Sequence, residues 1–151
     1  MNSLNSCDSF FWNPNKFKND FKKHISNSDL VLFDGDFLHP TYAYLKNGKL
    51  VGIEFNAKPE CGSYIRRYYL NENEKIEKIV IRKDFWSKYC ETQFDSIYLI
   101  ELPKEQVKVY TKSTDGKLVS NKNLVEKNFL DVAQFKHKTK DWKKTNFSEV
   151  K

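Results

Sequence analysis

TYAYLKNGKLVGIEF, residues 41–55, decides the fold class. Two runs of strand-forming residues flank Asn47-Gly48, the strongest short turn signal in the chain, because a type I′ turn needs positive φ at both central positions. The stretch is expected to be a β-hairpin. Downstream, SYIRRYYLNENEKIEKIVIRK (63–83) reads as a second hairpin, closed by the polar run Asn71–Lys75. DSIYLIEL (95–102) reads as a buried strand ended by Pro103, and QVKVYTK with KLVS, around Asp115-Gly116, as a third hairpin. Between them DFWSKYCE (84–91) reads as a short helix capped by Asp84, with Phe85/Tyr89 and Trp86/Cys90 four residues apart. After Asn121 a helix is expected, with Val125, Phe129, Val132 and Ala133 as its apolar stripe.

Upstream of the first hairpin, DLVLFD (29–34) is a short apolar strand. NPNKFKNDFKKHIS (13–26) reads as an amphipathic helix: Asn13 caps, Pro14 suits the first helical position, and Phe17, Phe21 and Ile25 repeat every four residues. Lysines take much of the remaining surface. The expected fold is α+β: an N-terminal amphipathic helix packed on an antiparallel meander of about six to eight strands, then a short C-terminal helix and a basic tail. The 151 residues suit one domain, with residues 1–12 and 136–151 as candidate loose termini.

A hydrophobic fraction of 39% is modest, but 12 Phe, 8 Tyr and 3 Trp supply large rings for a core, which separates this chain from a disordered one. The net charge of +6 is unevenly placed: Lys and Arg number 7 against 7 acids in residues 1–60, 9 against 8 in 61–110, and 10 against 5 in 111–151. Much of the excess falls in KHKTKDWKK (Lys136–Lys144). Such a run can touch phosphates, although charge runs are more often solvated surface, so nucleic acid is not the favoured partner. The cysteines Cys7, Cys61 and Cys90 are odd in number and far apart, which argues against a disulfide framework and for a reducing, cytoplasmic setting. LNSC (4–7) resembles a lipoprotein cleavage box but lacks the apolar run such a box requires, and no segment reaches the length of a membrane span.

Candidate sites come from the second hairpin. If Tyr64 faces Arg82, then Tyr64, Arg66, Tyr68 and Arg82 share a face; if the register slips by one, Arg67 and Arg82 share one instead. The expected binding patch is Tyr64, Arg66, Tyr68 and Arg82, with Tyr42 and Tyr44 on the neighbouring strand, since tyrosine and arginine often carry interface energy. The competing reading places these residues on a half-covered sheet face, with arginines paired to Glu54 or Glu77. DGDFLHP sets Asp34, Asp36 and His39 in one loop; a turn in which aspartates bond their own backbone is favoured over a metal site, and no cofactor is expected. Phosphate-loop, dinucleotide, nucleophile-elbow and zinc-deaminase patterns are absent.

Two functional expectations follow. The first is an intracellular non-enzymatic module that binds a protein, such as a toxin or enzyme, in the manner of a bacterial immunity or inhibitor protein. The second is a small metal-independent ribonuclease or RNA-binding toxin-like domain, using His39 or Glu54 for proton transfer and Arg66 or Arg67 on the phosphate. The near-neutral charge of residues 1–110 weighs against the second, because a nuclease groove concentrates positive charge.

Overall fold

The computed structural model describes residues 14–36, 38–58, 62–85, 94–102, 106–111 and 128–145. Helix α1 (Pro14–His24) is followed by strands β1 (Leu30–Asp34), β2 (Thr41–Lys46), β3 (Lys49–Ala57), β4 (Gly62–Leu70), β5 (Ile76–Phe85), β6 (Phe94–Glu101) and β7 (Gln106–Thr111). Helix α2 (Val132–Lys138), a single 3₁₀ turn (Thr139–Asp141) and the three-residue strand β8 (Lys143–Thr145) complete the α+β fold. All described strand pairs are antiparallel, in the order β7-β6-β5-β4-β3-β2-β1-β8. Seven strands therefore form a plain meander, and β8 returns to pair with the edge of β1.

The first hairpin turns through Asn47 (φ 50°) and Gly48 (φ 78°), the two positive angles its dipeptide was expected to supply. The second is shaped by a defect. Its polar turn pairs Leu70 with Ile76, a register that, carried on, sets Tyr64 opposite Arg82. A bulge at Glu77 intervenes, so Tyr69 pairs with Lys78, Ile65 with Arg82 and Tyr64 with Lys83. One extra residue thus turns Arg82 to the face of Ile65, Arg67 and Tyr69, away from Tyr64, Arg66 and Tyr68.

Alternation gives the sheet two apolar faces. One holds Ala43, Ile53, Tyr68, Ile79, Ile81 and Ile100 and is packed by Phe135 of α2. The other holds Val31, Tyr44, Tyr69, Val80 and Ile97 and is covered by Phe21 and Ile25, at and just beyond the end of α1. Burying each of the valine, isoleucine and phenylalanine side chains contributes about 1.5–3 kcal/mol. Helix α1 sits close because Gly52 of β3 has no side chain: a Cβ there would lie 2.7 Å from Ile25 Cγ2 and 3.2 Å from Phe21 Cζ. His24, at the end of the helix, lies 3.0 Å from the Val51 carbonyl and 3.2 Å from that of Leu70.

Several local expectations need correction. Asp84 and Phe85 do not begin a helix; they continue β5 and pair with Asp95 and Phe94, because the cross-strand ladder outweighs a four-residue apolar repeat, and residues 86–91 lie outside the described set. QVKVYT pairs with β6, and KLVS lies outside the described residues. Of the helix expected after Asn121, Val132 and Ala133 lie in α2, which Asp131 caps by accepting from the Gln134 amide at 3.1 Å, whereas Phe129 is non-helical and 79% exposed; residues 122–127 lie outside the described set. Val125 also falls outside, as do Cys7, Cys61 and Cys90. The basic run 136–144 is ordered as the end of α2, the 3₁₀ turn and the edge strand.

Candidate functional site

Strands β3 and β4 place Glu54 directly opposite Arg67 on the α1 face. Arg67 donates its Nε to Glu54 Oε2 at 2.7 Å, and Asn56 Nδ2 donates to the other carboxylate oxygen at 3.1 Å. The pair is well buried, with side chains 9% exposed for Arg67 and 13% for Glu54. The guanidinium also stands 5.7 Å from the ring centre of Phe21. No other described group accepts a hydrogen bond from Arg67, so both of its terminal nitrogens are without a protein acceptor among the described residues.

Arg67 also lines open space. Between α1 and the β2–β4 face lies a cleft of about 690 Å³, lined by Arg67, Glu54 and the lysines Lys18, Lys22, Lys23 and Lys58. That volume suits a small molecule or one or two side chains of a partner. Among the described residues none of the four lysines forms an ion pair. A narrower space of about 180 Å³ shares Lys18, Ile65 and Arg67 with the cleft and reaches Arg82. The lining therefore carries six cations against the single carboxylate of Glu54. Helix α1 makes this basic wall because Lys18 and Lys22 each follow one residue after the partly buried Phe17 and the buried Phe21, at the edge of the apolar stripe.

The rest of the cleft is largely apolar, with Ser26 and Asn56 as its other polar residues. Tyr42 and Tyr44 line it, their rings 6.4 Å apart, and the Tyr44 ring meets Phe21 edge-on at 5.8 Å. Burial pushes the Tyr44 hydroxyl well above its usual pKa, and the nearby Glu54 charge adds to the effect. Leu38 and Pro40 complete the rim, with Leu38 48% exposed. The loop that presents them is set by Gly35 (φ 100°) and by Asp36, whose Oδ1 accepts from the amides of Leu38 (2.8 Å) and His39 (2.7 Å). The His39 amide, opposed by a little burial and joined by the Leu38 amide and the His39 ring, holds the Asp36 carboxyl below its ordinary range. His39 Nδ1 lies 3.2 Å from the same oxygen, so this loop forms the backbone-bonded turn its spacing suggested.

The expected binding residues divide between the two faces. Tyr42, Tyr44 and Arg82 are on the α1 side, where Tyr44 is buried and Arg82 reaches Asp84 at 3.4 Å. Tyr64, Arg66 and Tyr68 are on the α2 side. There Tyr68 is 1% exposed and donates to the Asn128 carbonyl at 2.8 Å; burial raises its hydroxyl to a pKa of about 12, against the opposing charge of Arg66. Arg66 lies over the rings of Phe55 (4.5 Å) and Tyr68 (5.4 Å) and donates from Nη1 to Asn128 Oδ1 at 3.2 Å. Of the residues considered for proton and phosphate chemistry, Glu54 and Arg67 touch, His39 bonds Asp36, and Arg66 is across the sheet.

A second cleft, of about 620 Å³, opens on the other side of α1. Its centre is Asp20, which accepts from Tyr69 Oη and Lys78 Nζ, both at 3.0 Å. Burial works against the Asp20 charge, but these hydrogen bonds and the charges of Lys78 and His24 outweigh it and hold the carboxyl below its ordinary pKa. Glu77 and Glu101 join the lining, so the charge here is mixed. No family model, curated protein or solved structure matches the chain.

The lysines of α1 were the part of this site missed by counting charge in long segments. Residues 14–24 hold four lysines and one aspartate, and the helix brings that excess onto one cleft. A count by helix face rather than by chain third contains the signal.

Proposed function

We propose that the protein is a non-enzymatic binding module for a protein partner, of the bacterial immunity or inhibitor type, and that the partner docks on the cleft between α1 and strands β2–β4. The observation that carries this reading is the cleft lining: lysines with no ion pair among the described residues and a buried arginine surround a largely apolar floor with an exposed leucine at the rim. Aromatic and arginine anchors inside a rim of charge are the usual anatomy of a protein interface. The charge selects an acidic partner. The odd number of widely spaced cysteines supports a cytoplasmic setting, and among the described residues no helix is long and apolar enough to cross a membrane.

The test is a pull-down from the protein's own cell lysate at low and high salt, with the wild-type chain and a Lys18→Glu/Lys22→Glu variant. One stoichiometric acidic protein, held by the wild type at high salt and lost by the variant, supports the reading. Equal retention by both chains removes the cleft as the docking surface. The contact of Glu54 with Arg67 in a basic cleft is what favours a second reading, a small metal-independent ribonuclease or RNA-binding domain. RNA recovered in place of protein, and released by salt, supports that one.

A further inference from the structure

The structure assigns a carboxylate-binding subsite to the two terminal nitrogens of Arg67, with the ligand's apolar portion resting among Tyr42, Leu38, Pro40 and Ile65. We infer that the group a partner inserts there is an acidic side chain, or a chain-terminal carboxylate, beside a large hydrophobic residue. This rests on the binding reading above and specifies the chemistry of the same cleft.

Three observations converge. Arg67 is more than nine-tenths buried at its side chain, yet its hydrogen bonding is incomplete: Nε is spent on Glu54, and among the described residues neither terminal nitrogen has an acceptor. A guanidinium so placed offers a rigid planar fork that matches the two oxygens of a carboxylate. The cleft that receives it carries a surplus of lysines with no acidic partner among the described residues, which favours an anion over a neutral ligand. Apart from Ser26 and Asn56 the remaining lining is apolar, with Tyr42 half-buried and Leu38 exposed, so the ligand is expected to carry hydrophobic surface next to its charge.

A carboxylate fits better than a phosphate for an electrostatic reason. Glu54 already neutralises Arg67 from 2.7 Å away, so the bottom of the cleft is close to neutral before a ligand arrives. A dianion there meets twice the repulsion from Glu54 that a monoanion meets, and its desolvation is more costly. The lysines stand at the rim, where they attract an anion from a distance more than they bind it.

The experiment uses the isolated full chain, with benzoate as the carboxylate probe, benzamide as its neutral isostere and inorganic phosphate as the alternative anion. Side-chain and backbone NMR signals of Arg67 and Tyr42 are followed during titration. Benzoate is expected to shift them saturably with a Kd of about 1–10 mM, the range reached by a fragment of this size. Benzamide should bind at least tenfold more weakly, and phosphate should not saturate the Arg67 signals. Arg67→Met combined with Glu54→Gln removes both charges and should abolish the benzoate response. Should that variant fail to fold, the exposed Lys18→Glu change tests the same field and should weaken benzoate several-fold at low salt. Equal binding of benzamide, saturation by phosphate alone, or no shift at Arg67 with any probe overturns the assignment. A benzoate response at Arg67 that leaves capture of the protein partner unchanged upholds the subsite and refutes docking at this cleft.

Discussion

The Glu54–Arg67 pair yields a stability prediction whose size follows from its burial. Their side chains are 13% and 9% exposed, and the Nε–Oε2 distance is 2.7 Å. At an effective dielectric constant near 20, charges about 4 Å apart attract by about 4 kcal/mol, and much of that offsets desolvation of the two ions. Arg67→Met leaves a buried carboxylate with, among the described residues, only Asn56 as a side-chain donor, and stability should fall by about 3 kcal/mol. Glu54→Gln leaves Arg67 with terminal nitrogens that still reach the water of the cleft, and about 1.5 kcal/mol is the expected loss. Because the double variant removes both ions together, it should lose only about 2 kcal/mol, a coupling of roughly 2.5 kcal/mol. Urea denaturation at pH 7 measures all three, with an unchanged m-value showing that the comparison is between like states. Losses that add to within about 0.5 kcal/mol would refute the claim that the two side chains act as one buried unit.

Three further outcomes are expected. Gly52→Ala drives a methyl to 2.7 Å from Ile25 Cγ2 and should cost about 1–3 kcal/mol while speeding amide exchange in α1; Gly48→Ala meets nothing within 4 Å and should cost only the strain of φ +78°, about 1 kcal/mol, with α1 exchange unaltered. If both changes act alike on α1, the close seating of the helix on Gly52 is wrong. Asp131→Ala should destabilise by about 1 kcal/mol, read as a lower thermal midpoint, through loss of the cap on the Gln134 amide. Asp20 has a folded pKa below its ordinary 3.8, so its carboxylate contributes stability that is complete above that value and is lost as pH falls through the folded pKa. At 53% side-chain exposure the contribution should stay below about 1 kcal/mol; Asp20→Asn should be the weaker protein at neutral pH and equal to wild type in strong acid, and a difference that persists there contradicts the assignment.

Local chemistry made much of this architecture legible. Asn47-Gly48 takes the positive angles of its turn whatever surrounds it, and the four-residue repeat of Phe17, Phe21 and Ile25 requires an apolar surface for α1 to cover. Runs rich in tyrosine, isoleucine and valine around the polar stretch Asn71–Lys75 likewise mark β4 and β5 as the strands of a hairpin. Where local signals compete, neighbouring strands decide: Asp84 has the chemistry of a helix cap but is held in β5 by its partner in β6. Phe129 leaves the expected helical stripe for a related reason, since Asp131 caps α2 two residues further on.

What the chain determined by itself was therefore the kind of most elements, because this depends on residues a few positions apart. Which side carries the arginines was settled only in three dimensions. The turn at Asn71–Lys75 permits both registers, and the bulge at Glu77 chooses between them, sending Arg67 and Arg82 beneath α1 and leaving Arg66 with Tyr64 and Tyr68 on the far face. The basic cleft is likewise a product of assembly: its lysines come from a helix and its buried ion pair from two strands, and charges distant in sequence share a field only when packing brings them within about a Debye length, roughly 10 Å.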